Sequence, residues 1–163
     1  MVAVSPHVNS IVMPSRAAWL RVIIMIMGYQ FRGFFAEFAD GLVESAAQQW
    51  PMSRARVLHE PFYGVGLRLH EPDDMKTEEE IEKLLSLEDE LPSWTKNFPE
   101  TTVVYIYADC FGGHCEYEGF VCKNGEKLSV KSGDKALTRL LSHLGIKLND
   151  KEFFEPFERS YRW

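Results

Sequence analysis

From Asp109 to Glu116 the sequence reads Asp-Cys-Phe-Gly-Gly-His-Cys-Glu, placing two thiols, an imidazole and two carboxylates within one short stretch. If the chain turns at Gly112-Gly113, paired residues on the two arms have numbers summing to 225. Cys110 then faces Cys115, Asp109 faces Glu116, Tyr107 faces Glu118 and Tyr105 faces Phe120. Three fates are open to the cysteines. They can stay reduced as small hydrophobes, which is the plainest reading. They can form a cross-strand bridge, since opposed strand residues have Cβ atoms about 4.5–5.5 Å apart and a disulfide wants about 3.5–4.5 Å. Or, with His114, they can supply soft metal ligands, although the spacing is not a CxxC zinc knuckle.

Asp109 and Glu116 raise a different chemistry. Like charges directly opposed on a sheet are destabilising, and two carboxylates this close are expected to push one pKa upward. Such a pair suits acid–base work or a cationic ligand. Lys131 or Arg32 would otherwise neutralise it. A second turn at Asn124-Gly125, with partners summing to 249, sets Lys131 opposite Glu118 and Lys127 opposite Cys122.

The elements that must hold this hairpin follow from periodicity. Tyr29 to Phe35 reads as a strand, and Glu37 to Trp50 as a helix stopped by Pro51. Arg54–Leu58 and Val65–His70 read as strands, the latter with Val65, Leu67 and Leu69 on one face. Thr77 and Glu80 form a capping box opening a helix with Ile81, Leu84 and Leu85 inside and Pro92 at its end. Thr101–Asp109 is the strongest strand signal. Glu116–Cys122 and Lys127–Lys131 follow. Asp134 is placed to cap a last helix with Leu137, Leu140, Leu141 and Leu144 inside and Gly145 at its C′ position. The aromatic segment from Phe153 to Trp163 is expected to dock on the body. The expected fold is α+β. It has an antiparallel or mixed sheet with a ferredoxin-like βαββαβ start, extended by a β-meander and a C-terminal helix.

Composition bounds the function. The chain has 163 residues, 45% hydrophobic and 26% charged, which are ordinary globular values that fit a single domain. The formal charge of -6 argues against a nucleic-acid binder, which needs a basic face. Three cysteines cannot all pair within the chain. The apolar run Ala17–Met27 carries Arg21 and is too short for a bilayer, which takes about 20 residues; no membrane partner is expected. Residues 1–27 read as an N-terminal extension, with Met25 or Met27 a candidate true start, and 28–163 as one domain. No Walker loop, GxSxG, HExxH or GxGxxG motif is present.

Acids crowd from Asp73 to Glu90, including Glu79 and Glu82, against only Lys76 and Lys83. This is either a solvated helix face or a docking surface for a basic protein. The Cys-Phe-Gly-Gly-His-Cys hairpin followed by Gly119 and Asn124-Gly125 resembles small bacterial proteins and implies no particular chemistry. The expected function is therefore that of a cytoplasmic binding or regulatory protein, monomeric or homodimeric, with no cofactor and no metal. It would dock a basic protein through Asp109, Glu116, Glu118, Tyr107, His114, Glu79 and Glu82. The alternative is a small hydrolase-like enzyme using Asp109 and Glu116 with Cys110 or His114.

Overall fold

The computed structural model describes residues 28–69, 82, 86–148, 154–158 and 161–163. The expectations for 1–27, for the capping box at Thr77 and for Ile81, Leu84 and Leu85 lie outside them.

Six strands make one antiparallel sheet: β1 (Tyr29–Glu37), β2 (Ser53–Leu58), β3 (Gly64–Leu69), β4 (Val103–Phe111), β5 (His114–Lys123) and β6 (Glu126–Ser132). Their spatial order is β2-β3-β1-β4-β5-β6. Among the described residues the helices α1 (Leu42–Gln49), α2 (Leu87–Trp94) and α3 (Ala136–Leu141) join the sheet in a mixed α+β fold.

Both faces of the sheet are covered, because side chains of successive strand residues point to opposite sides and both sets here are apolar. On one face Phe34, Leu67, Tyr105 and Phe120 pack with Leu42 and Ala46 of α1 and Leu87, Leu91 and Trp94 of α2. On the other, Phe31, Phe35, Val104, Ile106 and Val121 pack with Leu137, Leu140 and Leu141 of α3 and with Phe154 and Phe157. The C-terminal segment is laced to β2. Arg54 donates to the main-chain oxygen of Trp163 at 3.4 Å, and Arg56 donates to that of Arg162 and lies over the Tyr161 ring. Trp163 Nε1 in turn donates to the Pro156 carbonyl at 3.1 Å. Over its described residues the expected docking of this aromatic tail is observed.

Several boundaries differ from the sequence reading. The first helix begins at Leu42, after Gly41, instead of at Glu37, which ends β1; Phe38 is left 40% exposed. Pro92 lies inside α2 instead of ending it. The helix continues because Trp94 is buried there against Trp50, with ring centroids 5.1 Å apart, and donates to Ser45 Oγ. The chain then tightens into a 3-10 turn, Thr95–Asn97, whose Thr95 hydroxyl donates to the Pro92 carbonyl and accepts from the Gly125 amide. Asp134 does not cap α3; Lys135 occupies the N-cap position with no side-chain bond.

The β4–β5 register is the one expected, with Cys110 opposite Cys115 and Asp109 opposite Glu116. Gly112 and Gly113 take φ of 60° and 83°, the left-handed pair that a two-residue hairpin turn needs. The β5–β6 register is not. It runs as expected from Lys123–Glu126 to Cys122–Lys127, then shifts, so that Val121 faces Ser129 and Glu118 faces Ser132 instead of Lys131. The shift leaves Leu128 outside the ladder and turns Lys131 to the face opposite Glu118.

The cysteines are bonded, not reduced: Cys110 and Cys115 form a disulfide with Cα atoms 4.0 Å apart. The register explains it. The pair flanking a two-residue turn is hydrogen-bonded, so the next pair out is the non-hydrogen-bonded kind, whose side chains come closer. The metal-ligand reading falls with the thiols. Cys122 stays free and buried, and burial pushes its thiol up to about 12. Alkylation of denatured, unreduced protein is expected to label one thiol, Cys122, and three after reduction. Reduction should lower stability by no more than about 2 kcal/mol, because the loop closed is so short. Three labels before reduction would refute the bridge.

Candidate functional site

The sheet face that carries α1 and α2 is not covered to its end. Rows of side chains run across the strands. Phe34, Tyr105 and Phe120 form a buried row, with Tyr105 and Phe120 stacked at 4.9 Å. One pair further toward the β4–β5 turn, the row is Arg32, Tyr107, Glu118 and Ser132. Beyond it come Gln30, Asp109 and Glu116. The last two rows meet solvent: Arg32 and Tyr107 are half-buried, while Gln30, Asp109, Glu116, Glu118 and Ser132 are exposed.

The charges in this patch are arranged by the register. Gln30, a neutral donor, reaches Asp109 at 3.4 Å. Arg32, proposed from sequence as a neutraliser, lies over the Tyr107 ring at 4.9 Å, a cation–π arrangement. Lys131, the other proposed neutraliser, points away. The three carboxylates therefore face water, with an arginine stacked at their inner edge.

Beneath them, the Tyr105 hydroxyl is buried with no hydrogen-bond partner. Burial pushes its pKa well above the ordinary tyrosine value, Arg32 pulls it back, and Glu88 and Glu118 push it further. Glu88, in the first turn of α2, is thus the helix acid that acts on this face. Glu82 is exposed, and its carbonyl accepts from the amide of Ser86, the residue before α2. Glu79 lies outside the described residues. His114 is exposed beside the turn, paired with Phe111, itself 71% exposed. Of the seven residues singled out from sequence, the structure brings Asp109, Glu116, Glu118 and Tyr107 onto one surface. His114 is next to it on the same hairpin, and Glu82 is on another element.

Sequence reasoning missed Gln30 and the buried phenol of Tyr105, and it counted Glu88 only within the acidic run from Asp73 to Glu90. The only signal for Tyr105 was its place in the same alternation as Tyr107 and Asp109. It also missed a cavity of about 300 Å³. Gln48, Gln49, Trp50, Pro51 and Met52 line it from the end of α1, Leu69 from β3, and Ser86 and Glu90 from α2. Among the described residues no group of three or more His, Cys, Asp or Glu is placed to hold a metal ion, and no helix is long and apolar enough to cross a membrane. Comparison with protein-family models, with curated proteins and with solved structures finds no match to this chain.

Proposed function

We propose that this is a binding or regulatory protein that docks a basic protein partner through the acidic end of the sheet at the β4–β5 turn. The observation that carries the reading is the Asp109–Glu116 pair, directly opposed and exposed, with Glu118 on the same face and Lys131 turned to the other. A like-charge pair costs stability in the free protein, and a cationic partner would relieve that cost. The field also speeds encounter. Tyr107 gives the patch an aromatic inner edge, with Arg32 stacked on its ring.

The same proposal includes a ferredoxin-like plan for the first six elements. Their order, the arrangement β2-β3-β1-β4 and the packing of α1 and α2 on one face support it. It also includes a monomer, since the edge strand β6 carries a register shift and Lys127 and Lys131, features that discourage edge-to-edge pairing. In a cytoplasmic setting the reducing pool would keep the Cys110–Cys115 bridge open or transient. With the bridge closed, the hydrolase-like alternative loses Cys110 and would rest on Asp109, Glu116 and His114.

The test compares wild type with the double variant Asp109→Asn/Glu116→Gln. In the free protein each single change should raise stability by about 0.2–1 kcal/mol. In pull-downs from native lysate, the wild type should retain a stoichiometric basic partner that the double variant loses, with the difference shrinking at high salt. Equal capture by both proteins, or a fall in melting temperature in both single variants, overturns the docking reading.

A further inference from the structure

The Cys110–Cys115 bridge lies beyond the packed core. Along β4 and β5 the core of the α3 face ends at Ala108 and the partly buried Tyr117. Neither bridge cysteine belongs to it, and both are half-buried. Phe111, Gly112, Gly113 and His114, which the bridge encloses, are all exposed. The two cysteines differ in their outer neighbours. Cys110 has Tyr29 of β1 directly opposite on its other side. At Cys115 the β5–β6 ladder has already stopped, at Glu118–Ser132, where the Gly133 amide donates to the Tyr117 carbonyl. Among the described residues no strand pairs with β5 on its outer side at Cys115.

A thiolate opens a disulfide by bonding to one sulfur while the other leaves, and access decides which sulfur is attacked. The bridge runs from β4 to β5. In-line attack on Cys115 therefore comes from outside β5, and attack on Cys110 from the side of β1, where Tyr29 stands. Opening the bridge leaves the sheet in place. The cysteines are only five residues apart in sequence, so the bridge removes little freedom from the unfolded chain. The β4–β5 ladder also continues from Asp109–Glu116 to Val103–Cys122 without it.

Charge favours one kind of thiol. Asp109 and Glu116 each adjoin a bridge cysteine, with Glu118 one pair further along. All three are exposed. Asp109 and Glu116 point to the opposite face, but adjacent Cα atoms are ~3.8 Å apart and the screening length is about 8 Å at physiological salt. Their field therefore reaches a thiol approaching the bridge, repelling an anionic one and drawing a cationic one.

We propose that Cys110–Cys115 is a reversible thiol–disulfide exchange site of the folded protein, and that it prefers a thiol carrying a cationic group. The thiolate of that thiol bonds to Cys115 Sγ. The bond between the two cysteines breaks, and its electron pair leaves on Cys110 Sγ, which takes a proton from water. A second thiolate attacks the mixed disulfide and releases Cys115, which is protonated in turn. Two external thiols are oxidised to one disulfide as the bridge is reduced to two thiols, and that external disulfide runs the sequence backwards. The proposal uses the acidic pair but needs no protein partner, so a test with small thiols is read apart from the docking reading.

The test uses the full-length chain in native buffer, with cysteamine as the cationic thiol and 2-mercaptoethanesulfonate as an anionic one of similar size. After each incubation the protein is alkylated without denaturant and mapped by mass spectrometry. Cysteamine should open Cys110 and Cys115 to the label while buried Cys122 stays unlabelled, which gauges that each protein is folded. Cystamine should then close the pair again. Asp109→Asn/Glu116→Gln should speed opening by 2-mercaptoethanesulfonate on the order of threefold or more, with no such gain for cysteamine. Comparing each thiol with itself cancels its intrinsic reactivity. In samples quenched early, the mixed disulfide should sit on Cys115. A bridge that opens only under denaturant that also labels Cys122, or that cystamine does not restore, overturns the exchange site. Equal acceleration of both thiols in the double variant removes the cationic preference. A mixed disulfide mainly on Cys110 removes the direction of attack.

Discussion

Gly33→Ala is expected to lower stability by about 3 kcal/mol or more, a large share of the roughly 5–15 kcal/mol that holds a domain together. Gly33 lies near the middle of β1, itself hydrogen-bonded on both sides, to β3 and to β4. A Cβ at this position meets the main-chain carbonyl of Leu67 on β3, and the Phe31 ring stands 3.0 Å away. A flexible side chain could swing aside, but a carbonyl bonded into a central ladder cannot move without its strand. Gly113→Ala makes the control. A Cβ there meets nothing within 4 Å, and the cost comes only from φ of 83°, about 1–2 kcal/mol. Denaturant titrations of both variants check the ranking. A Gly33→Ala protein as stable as Gly113→Ala would show that β1 and β3 do not approach so closely.

The second large effect belongs to Phe35, which is fully buried on the face that carries α3. Its ring stacks on Phe31 at 5.5 Å, meets Phe154 edge-on at 4.9 Å, and has Phe157 and Trp163 each at 6.0 Å. Phe35→Ala should cost about 3–5 kcal/mol. It should also loosen the C-terminal segment, because Phe154, Phe157 and Trp163 share this one ring. Protease cutting near residues 154–163 should then appear at denaturant concentrations too low for global unfolding. Phe111→Ala, which removes a ring 71% exposed, should change stability by no more than about 0.5 kcal/mol. A Phe35→Ala loss as small as that would mean the tail does not pack there.

The parts of this structure legible in the sequence were those set by local chemistry. Gly112-Gly113 fixed a turn, the turn fixed a register, and the register placed Cys110 against Cys115 and Asp109 against Glu116. Val65, Leu67 and Leu69 announced one buried face by simple alternation. The parts that were not legible depend on contacts distant in sequence. Nothing in Glu126–Ser132 marks Leu128 as the residue that drops out of the ladder; its alternation with Val130 suggests a regular strand. Pro92 reads as a stop, and only the packing of Trp94 on Trp50 carries the helix past it. The fate of the cysteines turned on which pairs in the hairpin are hydrogen-bonded. The cavity was hidden because Gln48–Met52, Leu69 and Glu90 look unrelated until α2 is laid beside the end of α1.

The place of β1 in the sheet has a consequence for how the chain is made. β1 is among the first described segments to leave the ribosome, yet its partner β4 lies far along the chain: Gln30 and Asp109 are 79 residues apart. At translation rates of about 5–20 residues per second, β1 waits on the order of 4–16 s for that partner. Throughout that interval Phe31, Phe34 and Phe35, all destined for full burial, have only α1, β2 and β3 to shelter them. Folding during synthesis is therefore expected to depend on chaperones that grip aromatic segments. Slowing synthesis between β3 and β4 should lengthen that dependence, whereas slowing it after β6 should not.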